Sequence, residues 1–196
     1  VAHPRAQPAA ELVMQPVRDH AVHGDVQIED ELRPCAPRTA ELIESNLPGV
    51  LGVENCAVVS GGAEVTSALL QERFDHIFYT GGGRVGRIVM EAAAKHLTPV
   101  TLELGGRSPA IVCADADLAV AARRIVWGKF VNAGQTCVAP DHVVVEREVA
   151  DRLVSLMTAE IRSSFGEDAA LSADYGRIIN THHVDRLDGL IRSSEA

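Results

Sequence analysis

Short apolar strands alternate with helices along much of this chain, and that order restricts the folds available to it. Strands are predicted at Cys56–Val59, His76–Thr80 and Val100–Leu104, with helices at Ala63–Glu72 and Val85–His96 between them. A strand, a helix and a second strand in succession favour parallel pairing with a right-handed crossover. The sequence therefore predicts an α/β fold built on a partial doubly wound sheet.

Three segments of the chain differ in their patterning. Residues 1–31 hold three prolines and no sustained helical or strand period, so they are predicted to form an irregular N-terminal segment. Residues 32–104 carry the alternating strands and helices of a first domain. Residues 105–196 begin at the pair Gly105 and Gly106, a hinge signal, and continue as a second α/β domain.

Composition excludes several classes of function. The formal net charge is −9, which argues against nucleic-acid binding because that requires a concentrated basic face. No apolar stretch approaches the roughly 20 residues of a membrane helix, and the first ten residues lack the apolar core of a signal peptide. The four cysteines form no CxxC pair, so neither disulfides nor a zinc site is expected. These features predict a cytoplasmic protein without a metal.

A glycine-rich turn between a predicted strand and a predicted helix is the first candidate site. Gly81, Gly83 and Gly86 match G-x-G-x-x-G at a strand-to-helix junction. Small residues there let backbone N–H groups and the helix dipole approach a pyrophosphate. A glycine-rich turn without any ligand explains the pattern equally well. The motif alone leaves both interpretations open.

Cys137 is the second candidate, because it follows a loop containing Gly134 at a helix-to-strand junction. Backbone N–H groups in such a loop stabilise a thiolate and can also bind an oxyanion. The alternative is that Cys137 packs as a small apolar residue, which the spacing alone does not exclude. That packed role is predicted for the other three cysteines, which lie in or beside apolar runs: Cys35, Cys56 and Cys113.

Glu103 is the third candidate, a single carboxylate on the polar side of an apolar strand. It stands just before the glycine pair and could serve as a general base. The alternative is a solvated strand residue. Other patterns favour structural roles: Asp115 or Asp117 is predicted to cap a helix, and Trp127 is predicted to lie in the core. His182 and His183 lack a clear third metal ligand.

Together these segments resemble the aldehyde dehydrogenase superfamily over about residues 32–191. Three motifs in the same order carry the resemblance: the cofactor turn FYTGGGRVG (78–86), the glutamate signature LELGGRSP (102–109) and the cysteine signature FVNAGQTCVA (130–139). Residues 141–191 resemble the class 3 or fatty-aldehyde branch. The resemblance implies a partial Rossmann-like domain that binds NAD or NADP, joined to the start of an α/β catalytic domain.

The resemblance also implies roles for individual residues. Cys137 would attack the aldehyde carbonyl, forming a thiohemiacetal and then a thioester, and Glu103 would activate water. Asn132, Gly134 and Gln135 would shape the cysteine loop. The positions expected to contact the cofactor fall into three groups. Those near the phosphates are Gly81, Gly82, Gly83, Val85 and Gly86; those near the nicotinamide are Leu104 and Gly105; the one near the adenosine ribose is Arg33.

The chain also departs from the family pattern. Gly82 replaces the usual serine of the cofactor turn, and Arg107 replaces the lysine of the glutamate motif. The Pro-Trp-Asn motif, the Glu-x-Phe-Gly-Pro motif and the usual oligomerisation strand find no match, although a homo-oligomer stays open. Truncation at both ends and impaired turnover are therefore expected. A non-catalytic structural or interaction module, or a cofactor-independent thiol esterase, are the alternatives.

Overall fold

The fold was obtained as a computed structural model, which describes residues 10–13, 25–29, 37–53 and 55–194. The chain divides between Leu104 and Gly105 into two compact units, which are considered separately below. Both units combine helices with small sheets, so the α/β prediction is confirmed. None of the helices within the described ranges is long and apolar enough to cross a membrane.

The described residues of the first unit form a five-stranded sheet and three helices. Its strands lie in the order β3-β1-β2-β4-β5, in which β2, β4 and β5 run parallel and β1 is antiparallel to both of its neighbours. The strands are β1 Ala10–Val13, β2 Asp25–Glu29, β3 Ala57–Ser60, β4 His76–Thr80 and β5 Val100–Glu103; the helices are α1 Pro37–Leu51, α2 Ala63–Leu69 and α3 Gly83–Ala94.

Two of these strands lie in the segment that was expected to be irregular. The strand β2 alternates polar and apolar residues over only five positions, and β1 is four residues long. Runs this short give little periodicity in a sequence window. They become strands through pairing: β1 pairs with β3, and β2 pairs with β4, whose sequences lie about 50 residues further along the chain.

Alternation along β4 places the core of the first unit. Ile77 and Tyr79 are 2% and 0% exposed, while the residue between them is only partly buried. Val89 and Phe74 pack into the same apolar cluster. Removal of this surface from water stabilises the unit by about 25 cal/mol per Å². The buried Tyr79 therefore fixes the end of β4, where the glycine turn begins.

The second unit packs two long helices against a two-stranded parallel sheet. Its elements are β6 Ser108–Val112, α4 Leu118–Phe130, β7 Pro140–Val145, α5 Arg147–Phe165 and α6 Thr181–Ser194. Asp117 caps α4 by accepting hydrogen bonds from the N–H groups of Ala119 and Val120, at 3.0 and 3.1 Å. One of the two proposed caps is thus confirmed.

Two predictions of burial in the second unit are wrong. Trp127 is 71% exposed, because successive helical residues are about 100° apart and the core takes Ile125 and Val126 instead. Cys113 is exposed because it follows the last residue of β6, Val112, which points into the core. Burial was also predicted for Cys56 and Cys35. It is confirmed for Cys56, which is 1% exposed, while Cys35 lies outside the described residues.

The core of the second unit can be tested with two adjacent residues of α5. Leu153 is 1% exposed, whereas Val154 is 61% exposed. We expect Leu153→Ala to lower the free energy of unfolding by about 2–5 kcal/mol, because the truncation leaves a cavity in the core. Val154→Ala should change it by less than about 0.5 kcal/mol. Urea unfolding followed through the single tryptophan, Trp127, measures both, and equal midpoints would contradict the assignment.

Candidate active site

The glycine turn, residues 81–86, joins β4 to α3 and is held from both sides. The Tyr79 hydroxyl donates a hydrogen bond to the Gly82 carbonyl at 3.1 Å, and the Gly81 N–H donates to the Glu103 carbonyl at 3.0 Å. Gly82 caps α3 without any side-chain hydrogen bond, so the first N–H groups of the helix remain available. The positive end of the helix dipole faces the same way.

The absence of side chains at this turn has different consequences at each glycine. A Cβ at Gly81 would lie 2.3 Å from the Tyr79 hydroxyl, so no other residue fits there. A Cβ at Gly82 would meet nothing within 4 Å, which leaves its backbone open to a ligand. At Gly86 a Cβ would lie 3.1 Å from Leu104 Cδ2, so glycine lets α3 approach β5 closely. The turn is suited to an anionic phosphate.

Three further residues predicted to contact the cofactor differ in their surroundings. Val85 is half-buried and packs against the core of the first unit, so its side chain helps to hold α3 against that core. Leu104, which ends the unit, is 36% exposed. Gly83 is open, because a Cβ there would have only the end of the Arg87 side chain near it, at 3.9 Å. Arg33, assigned to the adenosine ribose, lies outside the described residues.

Glu103 lies at the carboxyl end of β5, exposed to solvent. It pairs in register with Thr80, the last residue of β4, so the residue lies beside the start of the glycine turn. Parallel strands bring their carboxyl ends to one edge of a sheet, which is where ligands bind in open α/β sheets. The fold therefore places Glu103 and the glycine turn at a common edge.

The second unit begins with the glycine pair, Gly105 and Gly106. Gly106 lies close to the backbone of Cys137. A Cβ at Gly106 would lie 2.9 Å from the Cys137 carbonyl oxygen, closer than side chains approach backbone atoms. A Cβ at Gly105 would meet nothing within 4 Å. Gly106 is thus required for the close passage of the two chain segments. Sequence reasoning identified Gly106 only as a hinge signal, although its place in the glutamate signature marked it.

Cys137 is exposed and follows a turn with an unusual backbone. Asn132, Ala133 and Gly134 have φ values of 53°, 54° and 78°, all in the left-handed region. For Ala133 this conformation costs about 1–2 kcal/mol, because its Cβ crowds the following carbonyl. A second turn follows, in which the Ala139 N–H donates to the Thr136 carbonyl at 3.0 Å and encloses Cys137. Residues 132–137 are here called the cysteine turn.

Gln135 cross-links the cysteine turn to a distant part of the second unit. Its amide Nε2 donates to the Asn132 carbonyl at 2.9 Å and to the Arg177 carbonyl at 3.1 Å. Its Oε1 accepts from the Ile179 N–H at 2.9 Å. The Asn132 amide in turn donates to the Gln135 carbonyl at 3.2 Å. Of the three loop residues predicted from the sequence, two form side-chain bonds, and the third, Gly134, is the last of three consecutive residues with positive φ.

A charged pair fastens the segment after the glycine pair to the strand after the cysteine turn. Arg107 Nε donates to Asp141 Oδ2 at 3.3 Å, and this hydrogen bond holds the pKa of the carboxyl below its usual range. Because the folded-state pKa is lowered, the stabilisation is present above the unfolded-state pKa and is lost as the pH falls through the lowered value. Both side chains are substantially exposed, so salt screens the pair.

An apolar groove of about 760 Å³ lies next to the cysteine turn. The exposed Trp127 lines it together with Phe130 and Phe165, and charged residues that include Arg123 and Glu160 also line it. The groove also reaches the first residue of the cysteine turn, Asn132. In the described parts of the chain, no group of three or more His, Cys, Asp or Glu side chains is arranged to hold a metal ion.

Comparisons with known proteins show the family to which the chain belongs. The sequence model of the aldehyde dehydrogenase family matches residues 34–196. The rat (Rattus norvegicus) "aldehyde dehydrogenase, dimeric NADP-preferring" is 48% identical over 182 residues, which are 92% of this chain and 40% of the relative. The mouse (Mus musculus) "aldehyde dehydrogenase family 3 member A2" is 45% identical over 186 residues, which are 94% of this chain and 38% of the relative.

A solved structure titled "Substrate bound state of Staphylococcus Aureus AldH" superposes with a TM-score of 0.73 at 39% identity, covering 87% of this chain and 36% of that one. The chain belongs to the aldehyde dehydrogenase family. The predicted similarity to the fatty-aldehyde branch is confirmed by the family 3 relative. The chain spans about two fifths of the length of these curated relatives.

The two adjacent glycines of the second unit offer a matched test of the contact with Cys137. We expect Gly106→Ala to destabilise this unit by about 1–3 kcal/mol, because the new Cβ must displace the backbone. Gly105→Ala should have little effect, since its Cβ enters open space. Thermal unfolding followed by Trp127 fluorescence measures the difference. Identical melting temperatures for the two variants would show that the close contact is absent.

Proposed function

We propose that this chain oxidises an aldehyde to a carboxylic acid with NAD or NADP, using Cys137 as nucleophile and Glu103 as the base that activates water. The observation that carries the proposal is the exposed thiol of Cys137 on a turn whose left-handed backbone is fixed by hydrogen bonds. Backbone strain of this kind persists where the surrounding structure holds it and concentrates at functional sites.

The first chemical step is attack on the aldehyde by the thiolate of Cys137. A carbon–sulfur bond forms, the carbonyl π electrons move to oxygen, and a thiohemiacetal anion results. The backbone N–H of Cys137 would stabilise this oxyanion by donating a hydrogen bond. The oxidised nicotinamide, when bound, supplies the hydride acceptor for the oxidation. The product on the protein is a thioester of Cys137.

Hydrolysis of the thioester is assigned to Glu103. The carboxylate takes a proton from water, the hydroxide adds to the thioester carbonyl, and collapse releases the carboxylic acid and the thiolate of Cys137. Exposure of Glu103 at the end of β5 gives water access to it. General base catalysis of this type contributes about 10²–10⁴ in rate.

The cofactor is assigned to the glycine turn. The backbone of Gly81, Gly82 and Gly83 would hold the phosphates, and Gly86 keeps α3 close to β5 so that the N–H groups stay aimed at them. Leu104 and Gly105 would lie near the nicotinamide, and Arg33 near the adenosine ribose. The rat relative is named NADP-preferring, which supports a dinucleotide without choosing between NAD and NADP for this chain.

The groove beside the cysteine turn supports a proposal about the substrate class. Aromatic residues line its walls and Asn132 lies at the turn, so we assign it to the apolar chain of an aldehyde. A cytoplasmic location belongs to the same proposal, supported by the three free thiols of the described residues. A homo-oligomer is proposed because the rat relative is named dimeric.

The nucleophile is tested by comparing two exposed cysteines. With a medium-chain aldehyde and NAD or NADP, we expect Cys137→Ser to abolish NAD(P)H formation, because the alcohol is a far weaker nucleophile. Cys113→Ser, which removes another exposed thiol, should keep the wild-type rate. Glu103→Gln should retain the first turnover and slow later ones, since deacylation then lacks its base. Aldehyde oxidation that survives in Cys137→Ser refutes the proposal.

The wild-type chain also distinguishes the alternatives. Hydrolysis of p-nitrophenyl esters through Cys137 without any dinucleotide dependence would favour the thiol esterase. Equal rates of iodoacetamide alkylation at Cys137 and Cys113, measured by mass spectrometry, would favour a non-catalytic module. Faster alkylation of Cys137, together with NAD(P)H formation, supports the dehydrogenase.

The role of the glycine turn in cofactor binding is tested by substitution of Gly81 and of Tyr79, which packs against it. We expect Gly81→Ala to abolish measurable dinucleotide binding, because its Cβ would collide with the buried Tyr79 and displace the turn. Tyr79→Phe should weaken binding less, since only one hydrogen bond to the Gly82 carbonyl is lost. Isothermal titration with NAD and with NADP measures both. Wild-type affinity in Gly81→Ala would remove the glycine turn from the binding site.

A further inference from the structure

The cysteine turn is strained, and the residues that hold it in place lie about 40 positions further along the chain. A segment of the second unit, residues 169–179, is here called the buttress loop. It receives the two distant hydrogen bonds of Gln135, one at the Arg177 carbonyl and one at the Ile179 N–H. Gly176 lies against the turn, since a Cβ there would be 3.5 Å from the Ala133 nitrogen.

The buttress loop is shaped by one guanidinium group. Arg177 Nη2 donates to the carbonyls of Ala170 at 2.8 Å and Ser172 at 3.4 Å. Its Nη1 donates to the carbonyls of Gly176, at 3.2 Å, and Tyr175. Four main-chain acceptors thus converge on one planar cation. Hydrogen bonds to a charged donor are about twice as strong as neutral ones.

Aromatic packing fixes the same loop to the ends of two helices. The Tyr175 ring packs edge to face against Phe165, the last residue of α5, and Phe130, the last residue of α4. The distances between ring centroids are 5.1 Å to Phe165 and 6.1 Å to Phe130. Phe130 is followed by Val131, and Val131 directly precedes the cysteine turn. The loop therefore contacts the cysteine turn from two directions, through Gln135 and through Phe130.

We propose that Arg177 is a positioning residue for Cys137, acting through Gln135. Its guanidinium fixes the curvature of the buttress loop, and that curvature places the Arg177 carbonyl and the Ile179 N–H where one Gln135 amide reaches both. With the loop relaxed, the amide loses these partners and the left-handed backbone at Ala133 loses its support. The thiol then departs from the geometry in which it reacts. This inference rests on the proposed function of Cys137.

The test compares alkylation of Cys137 with alkylation of Cys113 in the same molecule, using limiting iodoacetamide and mass spectrometry. The measured quantity is the alkylation rate of Cys137 divided by that of Cys113. In the wild type this ratio is expected to exceed one; a ratio of one refutes the proposed function itself. Arg177→Ala is expected to lower the ratio by about tenfold, within the range that misplacement of a reacting group produces. An unchanged ratio overturns the role of Arg177 alone.

The matched control is Arg192→Ala, which removes an arginine from α6 of the same unit. Arg192 makes an exposed ion pair with Asp188 at 2.9 Å, so its loss should leave the ratio unchanged. Trp127 fluorescence verifies that each variant is folded. If Arg177→Ala unfolds, Arg177→Lys decides, because a single ammonium cannot reach four carbonyls as the guanidinium does. A wild-type ratio in folded Arg177→Lys overturns the proposal.

A double-mutant cycle tests separately whether Arg177 acts through Gln135. If the arginine works through the amide, Gln135→Ala and the double variant with Arg177→Ala should show the same ratio. A further, multiplicative fall in the double variant overturns the proposed route. In turnover, Arg177→Ala should lower kcat and leave the KM for NAD or NADP unchanged, since the glycine turn belongs to the other unit. A raised cofactor KM with unaltered kcat also overturns it.

Discussion

The parallel register of β4 and β5 is the constraint on which the position of the glycine turn depends. Thr80 lies opposite Glu103, and the Gly81 N–H donates to the Glu103 carbonyl. A shift of one residue along this ladder would turn the buried Tyr79 to the opposite face. Burial of that ring therefore fixes the register, and the register places Glu103 beside the glycine turn.

The second unit differs, because the proposed nucleophile, Cys137, lies on a turn whose backbone is not intrinsically preferred. Ala133 in the left-handed region costs free energy, and burial cannot supply the compensation around an exposed Cys137. Directional hydrogen bonds supply it instead. Gln135 makes three side-chain bonds to main-chain groups, and each restrains position as well as energy. Hydrogen bonding suits a site that must be both open and fixed.

The sequence predicted the parts of the site that neighbouring residues determine, and missed those that depend on distant contacts. The glycine turn and the loop before Cys137 are formed by residues adjacent in sequence, so the sequence pattern was enough to predict a turn and a loop there. The role proposed for Arg177 depends on carbonyls whose direction only the fold sets. The run Ile125, Val126 and Trp127 is apolar throughout, so the sequence did not show which of the three faces solvent. The short strand β2 was missed because its partner lies far along the chain.

The chemistry of the buttress loop separates the residues that must be specific from those that need not be. Arg177 binds main-chain carbonyls, and every amino acid at Ala170 or Ser172 would present the same acceptor. The Gln135 side-chain amide likewise bonds main-chain groups only. The side chains of Arg177, Gln135 and Asn132 are therefore the ones that must be specific, while the backbone supplies their partners. That arrangement lets the surrounding loop change in sequence while the position of the thiol is kept.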